Sequence, residues 1–337
     1  MRVELRAGTS DNATWALLAG LACACLFAGH GMGFVVSLPR AILPGAGVLI
    51  LAGAILIGQG TGRPRLAAAS AAFLQMTLFT IGGVVLAYLL AARGGPLWDA
   101  RLAAADVRLG FNWPAVFRAA DAAPGALWAG GIAYESLTAQ MVVCIVALSA
   151  TRRFEALRIA VAAAIMSGLV TILISGAMPA IGNLFDPAAY RHLSPSIAWR
   201  ERDLIRGLRD GTARVVDLGL LKGIVSFPSY HAALPVILAW AQRDVAWLRI
   251  VTPIWAGVTI LATPLFGGHY GVDVLAGLVL AVAAMAIAPR LVVRQPPPSP
   301  DTPTSCTDFR ILLETGCNPR VSAAAARKLA KEKLGDA

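Results

Sequence analysis

Eight apolar stretches, each near the roughly 20 residues a helix needs to cross a hydrocarbon core, constrain this chain more than any other feature. They cover residues 14–38, 41–60, 66–92, 126–150, 156–180, 230–248, 250–266 and 270–288. Hydrophobic residues make up 57% of the chain and charged residues 14%. The mean hydropathy of +0.68 lies outside the range of water-soluble domains. The runs are unbroken and rich in Ala, Leu, Val and Gly, without the ten-residue alternation of a transmembrane β-barrel. The expected fold is all-α, a polytopic membrane helix bundle of about eight transmembrane helices. The first stretch is not a signal peptide, because it stays apolar as far as Leu38 and is preceded by Glu4 and Asp11.

An even number of spans puts both termini on one side. The short connections there carry Arg63, Arg65, Arg152, Arg153, Arg243, Arg249, Arg290 and Arg294, whereas the first opposite connection offers only Arg40. The positive-inside rule therefore places both termini in the cytoplasm, as expected for a bacterial inner (plasma) membrane protein. Residues 1–13 form a cytoplasmic N-terminus and 14–290 the transmembrane domain, with external loops 93–125 and 181–229. Residues 291–337 hold a Pro-rich linker, "QPPPSPDTPTS", and a basic cytoplasmic tail ending in a short helix, "VSAAAARKLAKEKLGDA". The stretch 95–125 is amphipathic in part and carries Trp98, Phe111 and Trp113, so external helical pieces lying against head groups are expected.

The formal charge of +10 is spread over connections without a basic stripe, so nucleic acid is not an expected partner. Anionic head groups and topology account for it. The five cysteines show no metal-type spacing, and Cys23 and Cys25 read as small packing residues. His30, and Glu135 with Gln140 in "YESLTAQ", read as packing, hydrogen-bonding or mouth-lining residues. The sequon at Asn12 would be cytoplasmic on this topology.

Two polar motifs interrupt the apolar pattern, "SFPSYHA" at 226–232 and "GGHYGVDVLAG" at 267–277. Two spans separate them, so they emerge on one face of the membrane whatever the orientation. His269 and Asp273 are four apart, one turn on a helix, where the carboxylate can accept a hydrogen bond from one imidazole nitrogen and leave the other free. Pro228 and Ser229 read as a helix start, with Ser229 as cap, so that unpaired N–H groups and the helix dipole attract phosphate. His231 lies in that first turn. Together these residues make a phosphoryl-transfer site that needs no metal or cofactor.

The two motifs resemble the second and third signature motifs of the type 2 phosphatidic acid phosphatase superfamily. Within it they are similar to the branch that includes fungal inositol phosphorylceramide synthase, with FPSxHA matched by Phe227 to Ala232 and GxHYxxDVxxG by Gly267 to Gly277. The resemblance implies a six-helix phosphatase-like core. It implies His269 as the nucleophile that forms a phosphohistidine, Asp273 as its orienting partner, and His231 as acid to the leaving alcohol and base to the incoming one. Ser229, with Tyr230, His231 and Gly268 around it, would seat the phosphoryl oxygens. The expected partners are a phospholipid or other lipid phosphate, a water or polyol acceptor, and the membrane itself.

Two departures stand out. The wider superfamily's third motif, SRxxxxxHxxxD, has a phosphate-binding arginine six residues before its histidine, where this chain has Thr263, preceded by Ala262. The first motif, KxxxxxxRP, is absent as well. Positive charge for the equatorial oxygens must come from elsewhere, and 200–223 supplies Arg206, Arg209, Arg214 and Lys222, of which Arg209 and Lys222 are the candidates. The leading reading is a lipid phosphatase or phosphotransferase acting at the outer face. The alternative is a non-catalytic protein that binds or transports a lipid head group in the same pocket.

Overall fold

A computed structural model describes residues 9–294. The Pro-rich linker, the tail helix, Cys306 and Cys317 lie outside the described residues, as does most of the N-terminal segment. Twelve α-helices occur among the described residues: α1 (Asn12–Gly31), α2 (Leu38–Gly60), α3 (Pro64–Ala92), α4 (Asp99–Arg108), α5 (Trp113–Asp121), α6 (Pro124–Glu135), α7 (Leu137–Ala150), α8 (Phe154–Ala177), α9 (Ile197–Asp210), α10 (Tyr230–Ala241), α11 (Leu248–Gly267) and α12 (Gly271–Leu291). Each of the eight apolar stretches is helical over most of its length, as it must be where lipid offers no partner to a backbone N–H or C=O. The fold is the expected all-α bundle of an integral membrane protein.

Six helices, α1, α2, α3, α8, α11 and α12, are each long and apolar enough to cross a membrane. A seventh span exists if α6 and α7 count as one, bent by 55° at Ser136. Side chains take over the bonding at this break. Ser136 Oγ donates to the Ala133 carbonyl at 2.8 Å and accepts from Trp255 Nε1 at 2.9 Å, while Gln140 Nε2 reaches Thr259 Oγ1 at 3.1 Å. Gln140 is thus a hydrogen-bonding residue that ties the break to α11.

The expected sixth span, 230–248, is helical only as far as Ala241 and continues in turns. At about 1.5 Å per residue, its 12 residues rise roughly 18 Å, short of a full crossing. The cause is the polar run after it: Arg153 pairs with the Asp244 carboxylate at 3.3 Å and donates to its carbonyl at 2.7 Å, pinning 242–247 as a connection. The first span is likewise shorter than expected, since α1 stops at Gly31. Val35–Val36 then pairs in parallel with Val215–Val216 before α2 begins.

The core is centred on α8, which packs against α3, α10 and α12. Phe79 and Met76 of α3, Ile145 and Leu148 of α7, Leu157 and Ile165 of α8, and Leu234 and Leu238 of α10 form one buried cluster. A second seam is built from Ala162, Ala163, Ala233, Ala281, Ala284 and Ala288, small residues that let α8, α10 and α12 approach closely around Ile237. By contrast α2 packs on α3 and has almost no fully buried residue along its apolar length, the character of a lipid-facing helix.

The helical pieces expected over 95–125 are present as α4 and α5, and α9 is a further short helix beyond them. Their aromatic residues pack on the protein: Phe117 meets Phe185 with ring centroids 4.8 Å apart, and Phe111 stacks on Trp113 at 5.5 Å. Asp121 closes this layer by accepting the N–H groups of His192, Arg191 and Leu193 at 2.6, 3.1 and 2.8 Å. These donors, the His192 N–H foremost, hold its carboxyl below the ordinary carboxylate range.

Candidate functional site

The N-terminal ends of α10 and α12 meet. Ser229 caps α10, its Oγ accepting from Ala232 N–H at 3.3 Å, and its own N–H donates to the Asp273 carbonyl at 2.9 Å. This contact joins the two sequence motifs directly. It requires Gly277, because a Cβ there would overlap the Ser229 carbonyl. At the other turn, α11 ends in Gly268, whose φ of 76° favours glycine and reverses the chain so that His269 points back into the bundle.

His269 is 4% exposed and Asp273 fully buried. The His269 Nδ1 lies 2.9 Å from the Ser226 carbonyl oxygen and 3.4 Å from Asp273 Oδ2. Both neighbours are acceptors, so Nδ1 carries the proton and Nε2 presents its lone pair. The expected carboxylate–imidazole pair is therefore present, with the closer contact made by a backbone carbonyl. The same Asp273 oxygen accepts from Ser226 Oγ at 2.9 Å and from Tyr270 N–H at 3.0 Å.

His231 stacks on Tyr134 with ring centroids 4.5 Å apart and planes 14° from parallel. Its ring centroid is 6.2 Å from that of His269. Both histidines line a cavity of about 470 Å³ bounded by α3, the α6–α7 break, α8, α9 and the loop before α10. Its apolar walls come from Phe79, Val84, Ala87 and Ile172; the polar groups include Lys222, Glu201, Ser226 and Glu135. An apolar body with a few convergent polar groups is the usual form of a small-molecule site.

The structure distributes the remaining sequence candidates unevenly. Lys222 lines the cavity and is paired with Glu201, Nζ to Oε2, at 3.0 Å. Its backbone is held at both ends by the Tyr88 hydroxyl, at 2.9 and 3.0 Å. Arg209 is not part of the cavity; its guanidinium donates to the Gly95 carbonyl, which anchors α9 to the loop after α3. Arg214 donates to the Leu208 carbonyl at 2.6 Å, and Arg206 pairs with Asp203 at 3.3 Å. Tyr230 lines the cavity while its hydroxyl donates to the Ala164 carbonyl at 3.1 Å. Ser229 and Gly268 are buried behind the cavity wall, Ser229 as the cap and Gly268 with its carbonyl taken by Asn183 N–H at 2.6 Å. Thr263 is fully buried and bonds back to the Thr259 carbonyl at 2.8 Å, inside α11.

Sequence reasoning missed Glu201, Tyr134, Asp99 and Asp106. Glu201 sits in a charged segment where nothing distinguishes it from its neighbours, whereas Asp99 and Asp106 are seven apart, two turns along one face of an amphipathic helix. That spacing was a readable signal.

A polytopic helix bundle that brings two histidines together at the meeting ends of two helices defines the class: a membrane-embedded protein with a histidine pair on one cavity. Residues 100–287, more than half of the chain, match the family described as the PAP2 superfamily. The chain belongs to that superfamily, whose members are in general phosphatases and phosphotransferases acting on lipid phosphates. No curated protein and no solved structure gives a match.

Proposed function

We propose that this protein cleaves a lipid phosphate ester through a phosphohistidine formed on His269, at the outer face of a bacterial inner membrane with both termini cytoplasmic. One observation carries the reading: two imidazoles face one cavity with centroids 6.2 Å apart, one of them with Nε2 free. Rings at this separation on one cavity leave both imidazoles within reach of a single phosphoryl group, one for attack on phosphorus and one for a hydrogen bond to its leaving oxygen.

In the first step Nε2 of His269 bonds to phosphorus, the P–O bond to the lipid alcohol breaks, and protonated His231 gives its proton to the leaving oxygen. In the second, neutral His231 takes the proton of a water or alcohol whose oxygen attacks phosphorus, and the P–N bond breaks. Asp273, through its contact with Nδ1, offsets the positive charge that develops on the His269 ring. Lys222 supplies cationic charge to the phosphoryl oxygens, and the N–H groups of Tyr230 and His231 at the start of α10 add donors. No step is routed through a metal, so EDTA leaves the rate unchanged.

Hydrolysis and transfer differ only in the second nucleophile. Similarity of the motifs to the inositol phosphorylceramide synthase branch favours transfer to a polyol. Solubilised protein incubated with labelled phospholipid, with and without inositol or ceramide, distinguishes them by a new labelled lipid as against free phosphate. An acid-labile labelled adduct that disappears in His269→Ala is the expected result. Full turnover in that variant would overturn the mechanism.

A non-catalytic reading, head-group binding or transport, draws on the pairing of Lys222 with Glu201, which leaves the cavity with little net positive charge. Tight phospholipid binding without turnover or adduct would favour it.

A further inference from the structure

We infer that Asp106 and Asp99 of the external helix α4 form a two-point clamp that positions His269 for attack; this rests on the nucleophilic role proposed above. Asp106 is fully buried, and both of its carboxylate oxygens accept hydrogen bonds. Oδ2 takes the Gly271 N–H at 2.7 Å and the Trp113 indole N–H at 2.6 Å, and Oδ1 takes the Val272 N–H at 2.8 Å. Gly271 and Val272 are the first two residues of α12. Asp106 thus satisfies two N–H groups that have no partner within their own helix, two residues after His269.

Asp99, two turns earlier on α4, takes hold of the other side of the same turn. Its carboxylate accepts from Gly182 N–H at 2.9 Å, from Ile181 N–H at 3.1 Å, and from the Tyr270 hydroxyl at 3.2 Å. The 181–183 segment so anchored returns to the turn through Asn183 N–H, which donates to the Gly268 carbonyl at 2.6 Å. Residues 268, 270, 271 and 272 are each held by α4 or by the segment that α4 holds. His269 lies in the middle, with Nδ1 committed to two acceptors and Nε2 left for attack. Neither carboxylate lines the cavity, so they act through His269 and not on substrate. An error of about 1 Å in the reacting geometry can cost a hundredfold in rate, the scale on which such a clamp matters.

The decisive variant is Asp106→Asn, which keeps size and shape but turns one acceptor into a donor facing N–H groups. Two readouts on the full-length protein in detergent are needed. The first is kcat and KM on labelled phosphatidate and labelled phosphatidylinositol, per folded molecule. A fall in kcat of about 10–100-fold with KM within a few-fold is expected, by analogy with outer-shell partners of metal ligands. The second is the rate at which diethyl pyrocarbonate modifies His269, read by mass spectrometry, which needs no turnover and is expected to change severalfold. Asp106→Glu, which restores two acceptors, is expected to recover part of both. Trp113→Phe removes only the indole donor and gives the same changes in weaker form should the Asn variant fail to fold.

Unchanged kcat and unchanged His269 reactivity in whichever of these variants folds would overturn the inference. So would a lower melting temperature with kcat per folded molecule intact, the signature of a merely structural cap. Failure of the underlying reading looks different: the phosphoryl adduct would survive His269→Ala, whatever Asp106 does.

Discussion

The two histidine-bearing turns are built to different standards of rigidity. At α12, His269 follows a left-handed glycine, is 4% exposed, and has Nδ1 committed to a carbonyl and a carboxylate. At α10, His231 is half-buried and rests on the face of Tyr134, and among the described residues no hydrogen bond reaches its ring. A nucleophile gains from a single tautomer and a single direction of attack. A group that protonates one oxygen and later deprotonates another gains from a ring that can tilt. The difference in support matches the difference in proposed role.

Replacing each histidine in turn tests this division most severely. His269→Ala removes the atom that bonds to phosphorus, and a loss of at least about a thousandfold is expected, with the labelled adduct gone. His231→Ala should cost about 10²–10⁴-fold, the range of general acid–base catalysis, yet leave adduct formation detectable. Its defect should shrink when the lipid alcohol is replaced by a good leaving group such as nitrophenol, which leaves without being protonated. Equal defects of the two variants on such a substrate would erase the distinction between the turns.

Much of this arrangement was legible in the sequence because it is local. The apolar runs gave the helices, the i to i+4 spacing paired His269 with Asp273, and the two-span separation put both motifs on one face. What was not legible depends on chain segments far apart in sequence. The Ser226 carbonyl that approaches His269 comes from 43 residues away, and no residue type marks a backbone acceptor. Asp106 is 165 residues from the Gly271 N–H it caps, and Arg209, a candidate by loop position, is turned towards Gly95. The end of α10 was misjudged because hydropathy averaged over 230–248 hides Gln242, Arg243 and Asp244, and their pairing with Arg153 decides where the helix stops.

The backbone acceptor sharpens the next prediction. Where a carboxylate alone sets a histidine tautomer, its conversion to an amide costs about 10⁴-fold. In this protein Asn at position 273 can keep its oxygen at the Oδ2 position, facing Ser226 Oγ and Tyr270 N–H. Its amide then takes the place of Oδ1, which is buried without a hydrogen bond among the described residues. The Ser226 carbonyl still holds Nδ1–H. Asp273→Asn therefore removes charge more than orientation, and a fall in kcat of roughly 10–100-fold is expected, with His269 still labelled by phosphate. A loss as large as that of His269→Ala would show that the carboxylate alone orients the ring.

The mildest test falls on the support of His231. Its stack with Tyr134 is the main contact that places the ring, and such aromatic pairs contribute about 0.5–1.5 kcal/mol, equivalent to about 2–10-fold in a rate that depends on the geometry. Tyr134→Leu should lower kcat by that factor, and Tyr134→Phe should be nearly silent, because the stack needs the ring and not the hydroxyl. Adduct formation from a good leaving group should be unaffected by either change, since among the described residues the His269 turn takes no hydrogen bond from Tyr134. If Tyr134→Leu instead slowed adduct formation from that substrate, the two turns would be coupled through the cavity wall, and the rigid and adjustable halves of the site could no longer be treated as independent.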